Sequence, residues 1–185
     1  GKGNEPLLKP FGIALDESDN LCVTDTGASA VCYYDRTKKK WHRWTQVGSI
    51  RFVSPVAVAR QGDWLFVADS GLGRVITFDA SGRLRGQITN RLERPAGLAI
   101  SNGRLCVADS LRHCIVVFDL QGGFLAEFGR RGDGPGEFNF PTHLAADVQG
   151  HLLVTDSMNS RVQILDGSGR FVAQVGQMGD SPGQF

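Results

Sequence analysis

Histidine, cysteine and serine are the residue types here most able to do chemistry, and their spacing limits which chemistry is open to them. A zinc site needs three or four N, S or O donors, and the sequence has four histidines, His42, His113, His143 and His151. The four cysteines, Cys22, Cys32, Cys106 and Cys114, have no C-x-x-C spacing, which argues against a zinc ribbon or redox pair. Ser70, Ser110 and Ser157 each follow an aspartate but sit in no G-x-S-x-G elbow, so they read as turn serines and not nucleophiles. The glycine-rich GRRGDGPGEF (129–138) lacks the Lys-Ser/Thr of a phosphate loop and precedes a strand. No catalytic residue, metal ligand set or cofactor is expected from these residues.

What must position them is a repeat. Four segments superpose: PFGIALDESDNLCVTDTG from Pro10, PVAVARQGDWLFVADSG from Pro55, PAGLAISNGRLCVADSL from Pro95 and PTHLAADVQGHLLVTDSM from Pro141. Spacings of 45, 40 and 46 between the prolines match four-stranded propeller blades, whose repeats run about 40–50 residues. Within each unit Asp25, Asp69, Asp109 and Asp156 precede a second aspartate by 10 residues. That constant interval predicts a hairpin of fixed geometry. Each unit reads as a four-strand meander; in the second these are VAVA (56–59), WLFVA (64–68), RVITF (74–78) and RLRGQI (83–88). The predicted fold is all-β, with blades over about 10–54, 55–94, 95–140 and 141–185 of one domain. The small apolar first strand suits the innermost place in a blade. The fourth, which carries most of the Lys and Arg, suits an outer edge guarded by charge.

A residue type placed identically in several blades is framework. On that argument the four aspartates accept the backbone N–H two residues on and close a turn, while Arg74 and Arg161 pair with carboxylates at the seams between blades. Ala30 and Cys114 stand in for that arginine in the first and third units, where weaker seams are expected. Cys22 and Cys106 share a core position with Phe66 and Leu153. Cys32 shares one with Ile76, Val116 and Gln163.

Functional residues should break the repeat. His143 stands where the other units have Gly12, Ala57 and Gly97, on the first strand beside Thr142. Arg112 and His113 in a hairpin loop, Arg130 and Arg131 before the next blade, and Asn159 complete a candidate polar rim around a channel. The run KKKWHRW (38–44) could bind nucleic acid through stacking and phosphate contacts. Alternation instead allows one tryptophan to pack on the adjacent blade.

Lys plus Arg at 20 against Asp plus Glu at 19 give a net charge of +1, without the basic excess of a non-specific nucleic-acid binder. No run of about 18 apolar residues and no signal-like N-terminus occurs.

The segments DSGLGRVITFD, DSMNSRVQILD and GRRGDGPGEFNFP resemble the NHL repeat. The resemblance implies a β-propeller, commonly six-bladed, used as a docking platform, and is nearest in style to bacterial extracytoplasmic proteins. NHL domains of ubiquitin ligases, some RNA-binding, and the amidating lyase with a channel metal are more distant. The expected function is therefore a non-catalytic scaffold whose loop-rich face meets a protein, peptide or glycan. A metal-dependent lyase or hydrolase with a channel site, and an RNA-binding domain, are the alternatives. GKGNEPLLKP and GDSPGQF share the phase of the loop GDGPGEF, which points to four units of a larger ring. Missing blades or self-association would then cover the two apolar faces left open.

Overall fold

A computed structural model describes residues 7–177 and Gly179; most of the two terminal stretches, residues 1–6 and 180–185, lies outside them. The chain is all-β, built from four antiparallel four-stranded meanders, the blade architecture of a β-propeller. It divides into two compact units, Gly1–Asn90 and Arg91–Phe185, each holding two sheets.

The first unit's sheets are β1 (Pro10–Leu15), β2 (Leu21–Asp25), β3 (Ala30–Asp35) and β4 (Lys40–Trp44), then β7 (Pro55–Gln61), β8 (Trp64–Asp69), β9 (Arg74–Asp79) and β10 (Leu84–Ile88). Between them lies a small hairpin of β5 (Gln46–Val47) and β6 (Ile50–Arg51). The second unit holds β11 (Pro95–Ser101), β12 (Arg104–Asp109), β13 (Cys114–Phe118) and β14 (Phe124–Phe128). Its second sheet is β15 (Pro141–Ala146), β16 (Leu152–Asp156), β17 (Arg161–Leu165) and β18 (Phe171–Val175).

Every sheet opens on the repeat proline. Lacking an N–H, proline is tolerated at the start of an edge strand, and a register shift follows it in all four sheets. Three residues ahead of three of these prolines stand Phe52, Leu92 and Phe138, all buried; Phe52 and Phe138 belong to the cores between the sheets of their units. The first strands of neighbouring sheets within a unit meet almost backbone to backbone. A Cβ on Gly12 would stand 2.7 Å from the Val56 carbonyl, and one on Gly97 2.7 Å from that of Thr142. Glycine is therefore required by close approach at both places.

Between the sheets of the first unit the core holds Cys22, Val31, Tyr33, Phe52, Val58, Leu65, Val67 and Phe78. In the second it holds Ala99, Cys106, Ala108, Ile115, Val117, Phe138, Leu152, Val154 and Leu165. Trp44 turns onto Phe78 of the next sheet, ring centroids 5.4 Å apart, as alternation along KKKWHRW allows. The outer position of the fourth strands is as expected, but their charge is not uniform. Lys40, Arg43 and Arg85 stand on β4 and β10, whereas β14 (FLAEF) and β18 (FVAQV) carry no Lys or Arg.

Candidate binding site

The repeat aspartates do more than close a turn. Asp25 accepts the N–H groups of Leu8 and Lys9 at 2.8 and 2.9 Å, Asp69 those of Val53 and Ser54, Asp109 those of Glu93 and Arg94, and Asp156 that of Asn139. Each carboxylate, fully buried, ties the end of the second strand to the loop entering the first. The expected turn is present as well, at Gly71 and Leu72 for Asp69 and at Leu111 and Arg112 for Asp109. At Asp25 the N–H of Ala28, three residues on, joins that of Gly27, two residues on. Burial pushes the Asp25 carboxyl up, but the donated N–H bonds of Leu8, Lys9, Ala28 and Gly27 outweigh it and hold it below the usual range.

The hydroxyl after each aspartate completes the clamp in three sheets. Thr26, Ser70 and Ser110 donate to the carbonyls of Lys9, Ser54 and Arg94. In the fourth sheet the arrangement departs: the Ser157 hydroxyl lies 2.6 Å from that of Thr142, which lies 3.3 Å from Nδ1 of His143. His143 is exposed on β15, opposite Thr155. A short polar chain, Ser157–Thr142–His143, thus stands where the other sheets have a closed framework bond.

The other rim candidates are held in place by the second unit's own framework. His113 accepts the Phe140 N–H at 3.2 Å and stacks edge-on against its ring, which joins the third sheet to the entry loop of the fourth. Arg112 grips Glu127 through two bonds, at 2.9 and 3.0 Å, and donates to the Arg91 carbonyl. Exposed Arg130 pairs with Glu137 at 2.7 Å and holds its carboxyl below the ordinary range; Arg131 is exposed beside it, bridged to Phe138 through the backbone. Asn159 donates to the Gly132 carbonyl and to Asp156. Loop 130–140 therefore lies against both hairpin loops, Leu111–His113 and Ser157–Ser160.

Arg161 pairs at 2.9 Å with the carboxylate of Asp156, its register partner in the same sheet and not across a seam between blades, and also donates to the carbonyls of Asp133, Gly134 and Glu137 in the entry loop. Arg74 does not pair with a carboxylate. It bonds Gln87 of its own sheet at 2.9 Å, because Asp69 is already filled by four N–H donors. Sequence reasoning missed three features here. Gln163, fully buried, accepts from Gly136 and donates to the Glu137 carbonyl, and its polar side chain at an otherwise apolar repeat position was the signal. Glu127, Gln87 and Gln174 share one position on the fourth strands, so Arg112 replaces the missing arginine of the third sheet from two residues earlier. Arg60, at the end of β7, forms a buried ion pair with Asp16 at 3.0 Å.

The cysteines are buried free thiols. Burial pushes Cys22 and Cys114 up to about 12 and Cys106 to about 11, which denies all three the thiolate form near neutrality. Among the described residues no three His, Cys, Asp or Glu side chains group closely enough to hold a metal ion, and no helix is long and apolar enough to cross a membrane.

These sheets, with a clamp repeated in each, define a repeat protein of the β-propeller class. Residues 138–165 match the NHL repeat, and residues 87–151 match a family described as a 6-bladed beta-propeller. No curated protein matches the sequence. Among solved structures, virginiamycin B lyase from Staphylococcus aureus aligns at a TM-score of 0.74 and 14% identity, over 92% of this chain and 56% of that one. The hydrazine synthase of Kuenenia stuttgartiensis aligns at 0.72 and 22%, over 94% and 51%. A gluconolactonase from Xanthomonas campestris aligns at 0.68 and 19%, over 95% and 63%. The chain thus spans between 51% and 63% of the length of these structures, and the likeness is one of fold.

Proposed function

We propose that this chain contributes four blades to a non-catalytic, six-bladed binding scaffold whose loop-rich end meets a protein, peptide or glycan. The observation that carries the reading is the Ser157–Thr142–His143 chain. It replaces the hydroxyl-to-carbonyl bond that the other three sheets share, and it presents two hydroxyls and an imidazole at the protein surface. Such groups hydrogen-bond amides and sugar hydroxyls with orientation and little desolvation cost. Arg131 extends the same end with exposed positive charge, beside the Arg130–Glu137 ion pair. The nearby carboxylates and Arg161 are taken up by framework bonds, and the thiols are protonated, so this end is suited to holding a ligand more than to transforming one.

A second reading, an enzyme of the lyase or hydrolase kind, is favoured by the fold shared with proteins named virginiamycin B lyase and gluconolactonase. It would use His143 as its base and draw further groups from other blades. The RNA-binding alternative has less support, since Trp44 is committed to Phe78 and Lys38 to Asp35. Peptide and glycan arrays probed with the protein and with its Thr142→Ala/His143→Ala variant test the proposal. Binding lost at least about tenfold in the variant, equivalent to about 1.4 kcal/mol, is expected; undiminished binding would contradict it.

A further inference from the structure

Asparagine followed by glycine occurs once in the chain, at Asn102–Gly103, where it forms the two-residue turn between β11 and β12. Ser101 and Arg104 are register partners across it. Both turn residues are left-handed, at φ 50 and 70, the conformation that Asn-Gly adopts in tight hairpins. The turn does not depend on asparagine. At the same place in the second sheet Gly62–Asp63 joins Gln61 to Trp64.

The asparagine amide is among the thermolabile groups of proteins, and its surroundings here leave it open to attack. Asn102 and Gly103 are exposed. A Cβ on Gly103 would meet nothing within 4 Å, so its backbone nitrogen is unshielded, and among the described residues no group accepts the Gly103 N–H. A pocket of about 20 Å³, large enough for one water molecule, opens beside the turn and is lined by Ser101, Asn102, Arg104, Phe128 and Gly150 among others. The nucleophile, the amide it attacks and room for the water that follows are therefore in one place. The turn lies against the neighbouring sheet of its own unit, away from both ends of the chain.

We propose that Asn102 is a site of self-modification, converting through a cyclic imide to aspartate and isoaspartate. The Gly103 nitrogen gives up its proton to solvent and bonds to Cγ of Asn102; the Cγ–Nδ2 bond breaks, and the nitrogen takes up a proton and leaves as ammonia. Water then adds to either carbonyl of the five-membered ring and opens it. Opening on the side-chain carbonyl gives aspartate, and opening on the backbone carbonyl gives a chain routed through the side chain. One water is consumed and one ammonia released, with no oxidant or cofactor.

The conversion acts on the seam between the third and fourth sheets. Ser101, buried, donates to the Gly150 carbonyl at 3.1 Å. The Asn102 amide fills the space where a Cβ of Gly150 would stand and lies 3.6 Å from that of Gly167. Aspartate keeps this shape and adds a negative charge beside exposed Arg104, taking the chain from +1 to 0. Isoaspartate lengthens the backbone between Ser101 and Gly103 by one carbon, which disturbs the Ser101–Arg104 register and loosens the seam.

Peptide mapping by mass spectrometry tests this on the folded chain, held at physiological temperature in mildly alkaline buffer beside the same protein in urea. The peptide holding residue 102 should gain the mass difference between an amide and an acid, split between aspartate and isoaspartate. Its rate should be within about tenfold of that in urea, because a surface turn opens at little cost in free energy. Asn102→Gly, which keeps a hairpin turn of glycines, should gain nothing there. The isoaspartate form should melt below Asn102→Asp, which should melt like the starting protein. An Asn102 still intact in the folded protein when the urea sample has converted would overturn the proposal, as would the same gain in Asn102→Gly. An isoaspartate form that melts with Asn102→Asp would overturn the effect on the seam.

Discussion

Replacing Arg161 with methionine keeps the length and apolar stem of the side chain and removes only the guanidinium. Arg161 is 8% exposed at its side chain and its partner Asp156 is 0%. Removing one member of a buried ion pair typically costs about 3–5 kcal/mol, because the other charge stays buried. Asp156 would keep the Asn139 N–H at 2.6 Å and the Asn159 amide at 2.8 Å, which places the loss near the lower end, about 3 kcal/mol. At about 2–4 °C per kcal/mol for a chain of this size, Tm should fall by about 6–12 °C. Arg74→Met, at the same repeat position, removes a bond to a neutral amide at the surface, and should cost about 1 kcal/mol or less. Thermal and urea unfolding of the two variants measure the difference, and hydrogen exchange should show residues 132–137 opening only in the first. Equal losses, or an unaffected loop, would refute the argument that Arg161 holds that loop through its carbonyls.

Gly97→Ala should lower Tm by several degrees, because its Cβ would meet the Thr142 carbonyl and the His143 Cα at 2.7 and 2.9 Å, an overpacking cost of about 1–3 kcal/mol. Gly86→Ala, with open space around it, should be neutral in the same melt. Asp79 is held below its ordinary 3.8 by the Ser81 hydroxyl first and then, against burial, by the N–H of Arg83; Asp16 and Asp147 are lowered too. A carboxyl depressed in the folded state stabilises above its unfolded value and loses that contribution as pH falls through the folded one. Tm should therefore be flat from about pH 7 to 5 and drop below about pH 4. Iodoacetamide at pH 8 should leave Cys22, Cys106 and Cys114 unmodified in native protein and label them in urea, as read by mass spectrometry; rapid native labelling would contradict their burial.

The fold was legible because the repeat states it four times. Constant spacing from one aspartate to the next required a fixed hairpin, and the repeat proline marked each sheet's first strand. The open position of His143 was legible for the converse reason, as a departure from Gly12, Ala57 and Gly97. What escaped were relations between loops and strands far apart in sequence. Nothing local to Asp69 shows that Val53 and Ser54 donate to it, and so nothing showed that Arg74 would find the carboxylate already filled. Nor does Cys114 reveal that Arg112 reaches Glu127 in its place, since that depends on register across β13 and β14. Asn159 reads as a rim residue by position and proves to be a loop anchor by its bond to Gly132.

The measurement that most directly tests the central claim is the metal content of the purified protein, wild type and His143→Ala, by mass spectrometry after equilibration with zinc and calcium. A scaffold that holds its partner through hydroxyls and an imidazole should bind neither metal stoichiometrically, and the two proteins should match. One equivalent of zinc or calcium in wild type, lost on His143→Ala, would contradict it and establish a metal centre.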